Sequence, residues 1–140
     1  MEDRTNVAAA PVPLKFADGS EFLCSPLTDR DCGTLDEWCR ATFLERARKG
    51  IDELPERAAI RAERLAQETV ATMSWMHGVG SRMIATPDGL AFMIWLQIRH
   101  NQPEVKLSDL REKMLDPVNQ RFANQAFVRV QRIEEDSKKS

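Results

Sequence analysis

Seven consecutive apolar residues at positions 90–96 form an uninterrupted hydrophobic stretch. Thr86 and Pro87 before this stretch are typical of a helix start, and Pro103 after it favours a helix end. We therefore predict a helix over residues 87–100. Because this helix is apolar nearly all round, it must be covered on several sides, by its own chain or by a partner. A buried strand after a β-turn is the alternative, since periodicity does not separate the two in a short run.

The pattern of residues 14–27 predicts a β-hairpin that turns at Asp18-Gly19. A loop with an odd number of residues, with Gly19 in the left-handed conformation, sets Lys15 opposite Glu21. The side chains that then share the buried face are Leu14, Phe16, Phe22 and Cys24. A two-residue loop would instead turn Phe22 to the other face, so we predict the odd loop.

Helical periodicity marks the rest of the chain. The first predicted helix opens at residues 28–31 or at the Thr34–Glu37 capping box and stops near Gly50. A second helix is predicted over residues 52–77, followed by a break at 78–81. Besides the helix at 87–100, a short helix is predicted over 108–114 and a last one over 117–133. The apolar stripe of the last helix is Val118, Phe122, Ala126, Val130 and Ile133. These elements predict a mainly α fold with a small N-terminal β-hairpin, of the α+β class, with about four to five helices around one core.

Domain organisation follows from the same pattern. Residues 1–13 show no burial pattern and are expected to form a disordered arm, and residues 134–140 are expected to form a solvated tail. We expect residues 14–133 to form a single helical domain that begins with the hairpin at residues 14–27.

Composition and charge limit the classes of function that we expect for this protein. A net charge of −2, with both signs mixed along the chain, gives no reason to expect binding to nucleic acid or to an anionic membrane. The apolar stretch is also shorter than the roughly 20 residues that a membrane-spanning helix needs. The three cysteines have no zinc-site spacing, and His77 and His100 each close a predicted helix. We therefore expect no enzyme activity, no metal and no cofactor.

Surfaces are the remaining candidates for function. Trp75 and Trp95 belong to predicted helices that carry apolar residues on more than one face, and surplus apolar surface marks a partner interface or a self-association surface. The residues that we expect to bind a partner are Met73, Trp75, Met76, Phe92 and Trp95.

Three stretches together resemble a known family. They are Ser-Pro-Leu-Thr-Asp-Arg-Asp at residues 25–31, Thr-Pro-Asp-Gly-Leu-Ala-Phe-Met-Ile-Trp-Leu at 86–96, and Arg-His-Asn-Gln-Pro-Glu-Val-Lys-Leu-Ser-Asp at 99–109. With the Asp-Gly hairpin before them, they resemble the tail assembly chaperones of long-tailed bacteriophages, which are encoded before the tape measure protein. The resemblance covers residues 14–114 and consists of hydrophobic order and turn chemistry.

The resemblance implies a non-catalytic assembly factor. Such a protein binds helical segments of the tape measure protein, keeps them soluble and promotes tail tube assembly, with the tube protein as a possible second partner and with self-association. It would act in the host cell cytoplasm and be absent from the mature virion. The alternatives are a structural tail or head–tail connector protein, which stays in the particle, and an unrelated cytosolic helical adaptor.

Overall fold

The structure, a computed structural model, describes the backbone of residues 11–139 and the side chains of residues 11–136. Its elements are β1 (Val12–Lys15), β2 (Glu21–Cys24), α1 (Asp29–Ile51), α2 (Glu56–Ala71), α3 (Gly78–Ile84), α4 (Pro87–Arg99), α5 (Leu107–Lys113) and α6 (Pro117–Lys139). The mainly helical α+β class is confirmed. The described part has six helices, because residues 78–84 form a helix where a break was expected.

The chain groups into two compact units. The hairpin unit combines residues up to 29 with residues from 85 onward, and the middle unit comprises residues 30–84. The single domain expected over residues 14–133 stays a prediction. Of the expected N-terminal arm, residues 1–10 lie outside the described residues. At the other end, α6 continues to Lys139, so the expected solvated tail is helical up to that residue.

The hairpin has the predicted odd loop. Lys15 pairs with Glu21, and a five-residue loop joins the strands, with Gly19 at φ +90°. The same register pairs Leu14 with Phe22. The first strand begins two residues earlier than expected, because Val12 pairs with Cys24 and is buried. Residues 12–13 therefore belong to the sheet and not to an arm.

The predicted central helix is α4, which packs against β2, α5 and α6 within the hairpin unit. The Thr86 hydroxyl caps it by accepting a hydrogen bond from the Gly89 amide at 3.1 Å. Between residues 89 and 98, all positions except Phe92 and Trp95 are buried. The chain itself thus supplies most of the cover that this helix requires.

The buried face of α6 is rotated from the predicted stripe. Ala126 and Val130 are buried as expected, whereas Val118 and Ile133 are each 40% exposed. The next residue, Asn119, is buried in place of Val118. Helical periodicity gives the approximate face of an amphipathic helix, and here a polar residue marks the edge of that face.

Asn119 is buried because it joins two backbone segments. Its Oδ1 accepts a hydrogen bond from the Ala17 amide at 2.9 Å, and its Nδ2 donates one to the Lys113 carbonyl at 2.9 Å. The side chain therefore links the hairpin loop and the end of α5 to the start of α6.

Replacing Asn119 by Ala is expected to lower the free energy of unfolding by about 1–3 kcal/mol, because two backbone groups lose their partner in a part-buried site. Urea denaturation followed by circular dichroism measures the change. Asn124→Ala is the matched control, since Asn124 is exposed on the same helix and makes no hydrogen bond within the described part of the chain. Equal stability of the two variants would contradict this role.

Gln97 is an unsatisfied polar group in the core of the hairpin unit. Its side chain is fully buried, and among the described residues neither Oε1 nor Nε2 has a hydrogen-bond partner. Buried amides without partners lower stability because they lose the hydrogen bonds that water provided.

We expect Gln97→Met to raise the free energy of unfolding by about 1 kcal/mol or more, because methionine fills a similar volume without burying unpaired polar atoms. Thermal denaturation should show a higher Tm. The same substitution at the exposed Gln125 should leave the Tm nearly unchanged. A lower Tm for Gln97→Met would mean that the amide has a stabilising partner.

Candidate partner-binding surfaces

The five residues expected to bind a partner fall into two groups. Met73, Trp75 and Met76 lie together in a turn of the middle unit, between α2 and α3. Phe92 and Trp95 lie one turn apart on α4 in the hairpin unit.

The turn at residues 72–77 replaces the last part of the predicted second helix. Its backbone groups are taken up by two side chains of α1: the Asp36 carboxylate accepts a hydrogen bond from the Trp75 amide at 2.9 Å, and Arg40 donates to the Met73 carbonyl at 3.4 Å. Asp36 and Arg40 are four residues apart and so share one side of α1. The prediction of helix up to residue 77 was wrong because these tertiary bonds outweigh local periodicity.

Gly80 allows the turn to lie directly on α3. A Cβ atom at this position would come within 1.8 Å of the Ser74 carbonyl oxygen. The Cys39 thiol also contacts this backbone, with its sulfur 3.7 Å from the Gly80 carbonyl oxygen. The Gly-Val-Gly segment is therefore a place of close backbone approach, and the helix α3 begins at Gly78, which has φ +64°.

The turn presents its side chains unequally. Met73 is buried, Trp75 is half-buried, and Met76 is 69% exposed. Among these three residues, only Trp75 and Met76 are accessible to a partner. A partner would meet the methionine first, with the indole beside it in sequence.

The second group forms a short aromatic stripe on α4. The Phe92 and Trp95 rings stack with their centroids 5.9 Å apart, and the Arg99 guanidinium lies 5.2 Å from the Trp95 ring centre. The indole N–H donates to the Val105 carbonyl at 3.0 Å. Both rings are half-buried, so part of each remains accessible to solvent.

No protein-family model, curated protein or solved structure matches this chain. Information about function therefore comes from the residues and surfaces of the chain itself.

Two of the three cysteine thiols are buried in the described part of the chain. Burial raises the pKa of the Cys24 thiol to about 12, and burial is also the main reason that the pKa of Cys39 is raised to about 11. Both thiols are thus protonated at neutral pH and are poor nucleophiles and metal ligands. Among residues 11–136 no group of three or more His, Cys, Asp or Glu side chains could hold a metal ion. None of the described helices combines the length and hydropathy of a membrane span.

Sequence reasoning missed several exposed apolar residues along α6. Val118, Val128 and Ile133 are between 40% and 49% exposed, and Leu115 just before the helix is 74% exposed. Two of these residues had been assigned to the buried stripe. The small residues Ala123 and Ala126 could have distinguished the buried side of α6 from these exposed positions, because small residues are typical of close helix packing.

Gly80→Ala is expected to destabilise the protein by about 1–3 kcal/mol, because the new methyl group would collide with the Ser74 backbone. Gly33→Ala is the opposite control: this glycine lies inside α1 with open space around it, so alanine should stabilise by about 0.5–1 kcal/mol. Urea denaturation measures both changes. If Gly80→Ala were as stable as the parent protein, the turn would not lie on α3 as described.

Proposed function

We propose that this protein is a phage tail assembly chaperone that binds helical segments of a tape measure protein, keeps them soluble in the host cytoplasm and promotes assembly of the tail tube around them, without catalysing a reaction. The resemblance over residues 14–114 supports this proposal. It is also supported by apolar side chains that are held accessible on folded elements. Tail tube protein and further copies of the chain are the other partners that this function implies.

A tape measure protein is a very long helical chain, and it cannot bury its apolar face before the tube forms around it. A chaperone for such a chain should offer apolar anchors that are already in place, because fixing mobile side chains on binding costs free energy. Helix recognition of this kind uses apolar residues spaced along one face of the bound helix.

The proposal depends chiefly on the turn at residues 72–77 of the middle unit, whose backbone is held by hydrogen bonds with α1. Its Met76 side chain is 69% exposed, while the Asp36 carboxylate fixes the backbone at the neighbouring Trp75. Methionine is flexible and polarizable, and it suits a surface that must accept many different segments of one long helix. Tryptophan is frequent among the residues that dominate binding energy.

The aromatic stripe on α4 supports the same function. The Trp95 ring is fixed by its hydrogen bond to Val105 and by the Arg99 guanidinium, so a bound helix would meet a rigid aromatic edge. Such an edge loses little side-chain entropy when it is covered.

We expect Trp75→Ser, Met76→Ser and Trp95→Ser each to weaken binding of helical tape measure fragments by at least about tenfold, as for residues that contribute most of an interface's energy. The fragments are taken from the long helical reading frame that the proposed function places after this gene, and titration calorimetry gives the Kd. Leu65→Ser is the matched control, because Leu65 is 64% exposed on α2 and lies outside both surfaces. Circular dichroism confirms that each variant is folded.

Folded variants that bind the fragments as well as the parent protein would exclude these two surfaces. Mass spectrometry of purified virions tests the function itself. An assembly chaperone should be absent from the particle, whereas finding the protein there in stoichiometric amounts would favour a structural tail or connector protein.

A further inference from the structure

The outward side of α6 carries a cluster of positive charge, followed in its last turns by the exposed acidic residues Glu135 and Asp136. Residues 117–133 contain three arginines and no acidic residue. Arg121, Arg129 and Arg132 are all exposed, and none of them makes an ion pair within the described part of the chain. Val128, which is 49% exposed, lies on the same side of the helix. We call this surface the basic face: an apolar residue with guanidinium groups around it.

The hairpin unit also contains a cleft of opposite charge. It has a volume of about 590 Å³ and lies between the hairpin loop, α5 and the start of α6. The acidic residues that line this cleft are Asp18, Glu104, Asp109, Glu112 and Asp116. Phe22 and Val105 supply its apolar part. We call it the acidic cleft.

Part of the acidic charge is already neutralised inside the cleft. The Lys113 ammonium lies 2.7 Å from the Asp18 carboxylate, and together with the Ser20 hydrogen bonds it holds the pKa of Asp18 well below its usual range. Glu104, Asp109 and Glu112 have no ion pair among the described residues. Three carboxylates therefore lack a cationic partner within the described part of the protein.

The two surfaces match each other in chemistry and in spacing. Each has an apolar part with charged residues beside it, mainly acidic in the cleft and mainly basic on α6, and an apolar core with a polar rim is the usual arrangement of a protein interface. Asp109 and Glu112 are three residues apart on α5, and Arg129 and Arg132 are three residues apart on α6. The two members of each pair are therefore about 4.5 Å apart along the helix axis, and two helices that lie side by side could form two ion pairs.

One chain cannot make this contact with itself. Asn119 lines the acidic cleft, and Arg129 is ten residues further along the same helix, about 15 Å away along its axis. We propose that the acidic cleft of one copy binds the basic face of α6 from a second copy. A reciprocal contact would close as a two-fold dimer, whereas a one-way contact would continue into a ring or a chain. The proposed function also implies contacts between copies, but this contact can be measured without a tape measure fragment.

Sedimentation velocity of the full chain tests the proposal. The parent protein should associate at low salt and do so at least about tenfold more weakly near 1 M salt, where the Debye length falls to about 3 Å. The triple variant R121E/R129E/R132E should lose association at low salt. R57E/R61E/R64E is the matched control: it makes the same change of net charge at three exposed arginines of α2 and should associate like the parent protein.

A charge exchange identifies the two surfaces as partners. D109K/E112K should also fail to self-associate, because three acidic residues and three lysines then line its cleft and the excess of negative charge is gone. Mixing it with R121E/R129E/R132E should restore association, since each variant then offers a surface of the sign that the other requires. Circular dichroism checks that both variants remain folded.

Three results would overturn the proposal. The first is a parent protein that stays monomeric at low salt and at high concentration. The second is association that persists in R121E/R129E/R132E, even if this variant has lost binding to an acidic helical peptide; the basic face would then serve another partner. The third is a mixture of the two charge-reversed variants that remains monomeric.

Discussion

Burial of α4 is the constraint on which the hairpin unit depends. This helix has side chains such as Met93, Ile94 and Leu96 on nearly every side, and each contributes about 1.5–3 kcal/mol when it is removed from water. A helix of this kind cannot be stable at a surface, so β2, α5 and α6 must be arranged around it. The hydrogen bonds of Asn119 and the capping of α4 by Thr86 then fix where these elements begin.

The hairpin and α4 could be predicted from the sequence, because both depend on residues that are close together in the chain. The hairpin register follows from the alternation of side chains along a strand and from the conformation of Gly19, so both could be derived. The bounds of α4 follow from Thr86, Pro87 and the apolar stretch. The turn at residues 72–77 could not be derived, because it depends on the contact of Asp36 with a residue 39 positions later in the chain and on the close approach of Ser74 to Gly80.

The same distinction explains how much of the candidate surface could be predicted. The sequence identified Met73, Trp75, Met76, Phe92 and Trp95 as apolar groups in excess, and it located the excess in the two helices predicted at residues 52–77 and 87–100. The structure covers the latter helix except for the Phe92–Trp95 stripe. The most exposed apolar side chains are found in the turn and beside α6 instead. Burial by distant elements decides which apolar residues remain accessible, and periodicity carries no information about those elements.

Two kinds of surface on one small chain have different physical consequences. Apolar anchors such as Met76 contribute affinity that depends little on salt, whereas the basic face and the acidic cleft contribute orientation and specificity that salt weakens. If copies associate through charge, each added copy places another pair of apolar anchors near the same partner. A long helix would then be held by many weak contacts at high effective concentration. The associated copies can bind the helix tightly together, while each single contact remains weak enough to be displaced when a tube forms around the helix.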